Sequence, residues 1–121
     1  MAQKFVVGLF ESKGTAEDAV NRLKTEGLPA RDITLMMLRE TAPKPAVVTA
    51  ELAAFEVDPF VVGDVQRTYA PYIHNGETAV FVRAHEEREA DLAVSTIRQY
   101  APIKIRVVSP EEGTALGHDV L

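Results

Sequence analysis

FVVGLFESKGTAEDAVNRLKTEGLPARDITLMML, residues 5–38, and TAVFVRAHEEREADLAVSTIRQYAPIKIRVV, residues 78–108, are the two stretches on which the fold turns. Laid over each other they spell the same order. Each opens on a short apolar run, Phe5 to Phe10 in one and Ala79 to Val82 in the other. Each then passes through charged turn residues into an alanine-containing amphipathic helix, and ends on a second apolar run, Ile33–Leu38 and Ile103–Val108. Two strand–helix–strand units in succession predict an α+β protein, a ferredoxin-like βαββαβ two-layer sandwich with its helices on one side of the sheet. That plan hosts many unrelated activities, so the topology alone assigns none.

The first helix is the best-marked element. Thr15 is its expected N-cap, with Glu17 and Asp18 in the first turn, where the helix dipole favours acids. Ala16, Ala19, Val20 and Leu23 make one buried stripe. Gly27 supplies a left-handed stop, Leu28 closes over the last turn, and Pro29 prevents continuation. The second helix, expected over 86–100, buries Ala90, Ala93, Val94, Ile97 and Tyr100, and Pro102 ends it. Ile103, Ile105 and Val107 alternate with Lys104, Arg106 and Val108, the pattern of a half-exposed edge strand.

Residues 39–76 form an insertion between strands 2 and 3 of the sandwich. Thr41–Pro45 carries two prolines and reads as a loop. Thr49–Phe55 reads as two helical turns. Asp64 is placed to cap a further helix through Val65, Tyr69 and Ile73, in which Pro71 is tolerated only in the first turn or at a kink. The insertion is therefore expected to be partly helical. With residues 5–38 and 77–108 as the two halves and 109–121 as a mobile tail, all of 1–121 reads as a single domain.

Composition narrows the chemistry. Thirteen basic and 18 acidic residues among 121 leave a net charge of −5, which provides no electrostatic footprint for nucleic acid. The absence of cysteine removes disulfides, thiolate metal sites and cysteine nucleophiles. Nothing near Met1 resembles a secretory signal, and the apolar stretch 45–55 is about half of the roughly 20 residues a membrane-spanning helix needs. A cytoplasmic protein with no membrane and no nucleic-acid partner is the expectation.

No catalytic device with diagnostic spacing is present: there is no G-x-S-x-G elbow, phosphate-binding glycine loop or H-E-x-x-H. His85-Glu86-Glu87 reads as a solvated helix start, since adjacent residues do not converge on one ion unaided. No metal and no cofactor are expected. Arg67, Tyr69, Tyr72 and His74 are the candidate lining of a small ligand pocket, against the alternative that such aromatics staple an irregular segment to the core.

The strands are apolar on both sides. Superposing the repeats puts Phe5, Val7, Leu9, Ile33, Leu35, Met37, Val80, Val82, Ile103, Ile105 and Val107 under the helices. The other face then carries Val6, Gly8, Phe10, Met36, Leu38, Ala79, Phe81, Arg83 and Val108. Left bare, this face would exceed the roughly 400 Å² at which an apolar patch signals interaction. Its cover is either the insertion, with Phe55, Phe60, Val61 and Val62 as fillers, or a second subunit. Val6, Phe10, Met36, Leu38, Phe81 and Arg83 are accordingly the candidate interaction face. Gly8 is expected to let Phe81 lie across it.

Residues 7–35 resemble the opening of the bacterial general-stress, heat-induced (YflT-type) domain family. They share a strand with a central glycine, a helix that begins around Ala16-Glu17 and ends at Gly27, and an acid before the second strand. Thr68-Tyr69 through Val82 and the 83–100 helix are similar to that family's second half. The chain departs from it in 39–63, where many relatives carry a long Gly/Ala-rich stretch. The resemblance implies a stress-linked, non-enzymatic role and supplies no catalytic residues. Together these readings predict a non-enzymatic interaction or regulatory module, as a homodimer or with a protein partner, acting through its open sheet face or its insertion. One alternative is a small-ligand sensor with the ligand at a subunit interface. The other is a small dimeric α+β-barrel enzyme using His74 or His85.

Overall fold

The computed structural model describes residues 4–41, 44–52, 69–73, 75–108 and 118–120. Its elements are β1 (Lys4–Phe10), α1 (Lys13–Thr25), β2 (Ile33–Thr41), β3 (Lys44–Leu52), β4 (Asn75–Ala84), α2 (Glu87–Arg98), β5 (Lys104–Val108) and β6 (His118–Asp119). Short 3-10 turns stand at Ala30–Asp32 and Ala70–Tyr72. The strands build one antiparallel sheet in the order β3-β2-β4-β1-β5-β6. Both helices lie on one face of it, so the chain is α+β. No helix among the described residues is long and apolar enough to cross a membrane.

The helix ends show how sequence dictates local structure. Helix α1 starts one turn earlier than Thr15 would allow. Its N-cap is Ser12, in extended backbone, whose hydroxyl accepts a hydrogen bond from the Thr15 N–H at 3.3 Å. At the other end Gly27 adopts φ 107. The Gly27 N–H donates to the Lys24 carbonyl and the Leu28 N–H to the Leu23 carbonyl, both at 3.1 Å. These are the paired bonds of a Schellman cap, and the buried Leu23 and Leu28 side chains join the same apolar cluster.

Two expected elements differ in the structure. The insertion does not open as a loop and a helix. Residues 44–52 continue the sheet as β3, which pairs with β2 from Thr41↔Lys44 to Leu35↔Leu52. Val47, Val48 and Thr49 are β-branched and favour a strand, and the β2 edge supplies hydrogen-bond partners that a two-turn helix would lack. The helix expected from Asp64 lies mostly outside the described residues; of its described end, Tyr69 is helical and Ala70–Tyr72 is a 3-10 turn that contains Pro71. The other difference is in the tail. His118–Asp119 returns as β6 against β5, with Arg106↔Asp119 and Val107↔His118 paired. The Arg98 guanidinium donates to the Val120 carbonyl at 2.6 Å. β5 is therefore not an edge strand.

The sheet separates two apolar clusters. On the helix side Ala16, Ala19, Val20 and Leu23 of α1 and Ala90, Ala93 and Ile97 of α2 meet Val6, Phe10, Ile33, Leu35, Val80, Val82, Ile105 and Val107. On the other side lie Phe5, Val7, Leu9, Met36, Ala79, Phe81 and Val108, with Ile103 against them. The expected faces hold for most of the residues in β2, β4 and β5. They are inverted for β1, where Val6 and Phe10 face the helices, and for Ile103. β1 is apolar at every position from Phe5 to Phe10, so alternation is silent about it. Its register decides: Val6 lies opposite Val82 and Gly8 opposite Val80, and directly opposed residues share a face. Gly8 thus lies beneath α2, not beneath Phe81. A Cβ there would come within 2.7 Å of Ile97 Cγ2.

Candidate functional site

The second sheet face is closed within the chain. Tyr69 and Ile73, just ahead of β4, pack on it and are fully buried. The Tyr69 hydroxyl donates to the Val7 carbonyl at 3.4 Å. The insertion therefore contributes to the cover, as one of the two expectations had it. Phe55, Phe60, Val61 and Val62 lie outside the described residues.

This places the expected interaction face. Val6 and Phe10 are in the helix-side core and are corrected to core residues. Phe81 has no exposed surface and Met36 only 9%. The backbone of Leu38 pairs with Val48, and its side chain is outside the described residues. Arg83 reaches the surface but is engaged in an ion pair, described below. Of the expected ligand pocket, Tyr69 is a buried staple. Tyr72 stays exposed at 38%, with the Lys104 ammonium 5.5 Å from its ring centroid. Arg67 and the side chain of His74 lie outside the described residues.

A charged corner sits where the chain enters β2 and leaves β4. The Asp32 carboxyl is almost wholly buried, at 2% exposure. Its Oδ1 accepts from Arg83 Nε at 2.9 Å and lies 3.2 Å from His85 Nε2. Arg83 Nη2 also donates to the Arg31 carbonyl at 3.4 Å. The His85 backbone N–H donates to the Glu89 carboxylate at 2.8 Å, which ties the corner to the start of α2. The guanidinium is the natural partner for a desolvated carboxylate. A histidine held by a carboxylate is half of a general-base device. Among the described residues no group of three His, Cys, Asp or Glu side chains is placed to hold a metal ion. The corner links the turn before β2 to the end of β4 and the start of α2. In the sequence Asp32 is legible as the acid before the second strand but not as the partner of Arg83 and His85, whose Arg–x–His spacing at the end of β4 is the only other trace of the corner.

Two open grooves, of about 420 and 480 Å³, flank the helices. One is walled by Lys13, Glu17, Asp18 and Lys24 over Val20 and Leu35. The other is walled by Lys4, Glu87, Asp91 and Arg98 over Val107 and Val120. Both mix the two signs of charge and so offer no field that selects an ion. Every buried polar side-chain atom among the described residues already has a partner, so none points at an absent ligand.

Among the described residues, one edge of the sheet has no further strand beside it. β3 ends the sheet, and among the described residues its only strand partner is β2. Its pairing with β2 is regular from Val47 to Ala50 and shifts register on either side, so the outer row of N–H and C=O groups is regular over that central stretch.

No family model matches the chain, and no curated protein or solved structure matches it either.

Proposed function

We propose that this chain is a non-enzymatic interaction module of the ferredoxin-like class, working through its insertion and not through a sheet face. The topological part rests on the central order β2-β4-β1-β5, in which each βαβ half contributes one inner and one outer strand. β3 is then an addition outside that core. The observation that carries the functional part is the β3 edge itself. Both sheet faces are occupied by the chain's own side chains, whereas a long edge is a template on which another strand can add. The stress-linked setting rests on the resemblance of residues 7–35 and 68–100 alone.

The test uses two adjacent substitutions, Val47→Pro and Val48→Pro. Consecutive N–H groups on a strand point to opposite edges, so one variant strikes the β2 ladder and the other only the outer edge. Immobilised full-length protein should retain a defined set of proteins from its native cell extract. The proline variant that keeps wild-type circular dichroism and thermal midpoint should lose that set. Equal retention by wild type and by that variant would sink the reading.

A further inference from the structure

We infer that residues 118–120 are a releasable strap: they guard the outer edge of β5, Arg98 latches them there, and they come away while the rest of the sheet stays folded. This device stands at the opposite end of the sheet from β3 and is independent of the interaction reading above.

Backbone and one cation hold the strap. Val107 lies opposite His118 and Arg106 opposite Asp119. The Val120 N–H donates to the Ile105 carbonyl at 2.9 Å. The Val120 carbonyl is taken by α2, where the Arg98 guanidinium donates to it at 2.6 Å. The half-buried Val120 side chain rests on the helix-side cluster. Without the strap, β5 would offer an edge of five residues. With it, the described sheet ends at this side in a strand of two, the short kind of edge that resists pairing with another chain.

β5 does not depend on the strap. It pairs with β1 over its whole length, from Leu9↔Lys104 to Phe5↔Val108. Ile105 and Val107 are buried in the cluster beneath the helices. Both supports remain when the outer side is bared. The latch also has another role to fall back on. Arg98 is exposed and is the last residue of α2, where a released guanidinium serves the negative end of the helix dipole. The loss of its bond to Val120 is thereby partly offset. Release takes Val120 out of the lining of the groove of about 480 Å³ beside α2 and joins that groove to the bared β5 edge.

Hydrogen exchange of the full-length protein reads the device, because alternate residues of an antiparallel strand turn their N–H groups to opposite neighbours. The Val107 N–H faces the strap and the Arg106 N–H faces β1. After correction for intrinsic rates, Val107 should exchange at least about tenfold faster than Arg106 and depend less steeply on urea, the mark of local opening. Arg98→Met should widen the ratio of the two rates by a further factor of about three to ten, the effect of one exposed hydrogen bond. Taking the ratio removes any change in global stability, which both amides feel.

Equal rates with equal urea slopes at the two amides overturn the inference, since the strap would then leave only when the whole sheet does. A wild-type Val107 amide as fast as in an unstructured peptide overturns it too, for then no strap is closed. A ratio unmoved by Arg98→Met removes the latch and the inference with it.

Discussion

At the scale of single residues, Gly8 ties the helix layer to the sheet. The distance of 2.7 Å between a Cβ at this position and Ile97 Cγ2 is too short for any real contact. The obstructing methyl belongs to a β-branched side chain with little rotamer freedom. Gly8→Ala should therefore lower stability by about 1–3 kcal/mol, measured by urea unfolding. In an Ile97→Ala background the same change should cost less, a coupling of about 0.5–3 kcal/mol; simple additivity would refute the contact. Gly8 also marks where sequence reading runs out. A glycine inside a strand announces that something approaches closely, yet not from which side, because its flanks Val7 and Leu9 are as apolar as Val6 and Phe10. Gly27 is the opposite case. The run Leu23, Gly27, Leu28, Pro29 contains all the information its cap uses, because a helix terminus is local.

At the scale of elements, the Asp32 corner is a joint between the two βαβ halves. Arg83 belongs to β4, Asp32 to the 3-10 turn before β2, and His85 to the link into α2. Arg83→Met keeps much of the apolar stem but leaves a carboxylate with 2% exposure facing only the histidine. The expected loss is about 3 kcal/mol, the cost of stranding a buried charge. In an Asp32→Asn background the arginine change should cost much less, and an equal loss in both backgrounds would show that the guanidinium acts by other contacts. This joint was hard to read because its members are 51 and 53 positions apart. The same separation of scales explains the insertion. Its helical reading used Thr49 as a local cap, while the observed strand depends on the neighbouring β2 edge, which no local window contains. The two halves, their helices and most of the sheet faces were legible, since those rest on periodicity. Face assignment in β1, the fate of 44–52 and the return of β6 were not, since those rest on register and pairing between distant residues.

At the scale of the whole molecule, two apolar clusters share one sheet, and this should make them unfold as one. Val6 and Phe10 of β1 serve the helix side while Val7 and Leu9 serve the other, so the strand alternates between the clusters residue by residue. Stripping either cover leaves buried apolar side chains of the same central strand in water, and the remaining layer loses its support. Tyr69 adds a polar tether, its hydroxyl bonded to the backbone of β1. Methyl resonances of Leu23 and Ile97 on the helix side, and of Leu9 and Ile73 on the other, should therefore follow one urea transition with a common midpoint and slope. Were Ile73 to depart at lower urea than Leu23, the cover on the second face would be a separately opening unit. Its release would then bare Leu9, Phe81 and Val108 while the helices stayed docked, and a sheet face would rejoin the β3 edge as a surface open to partners.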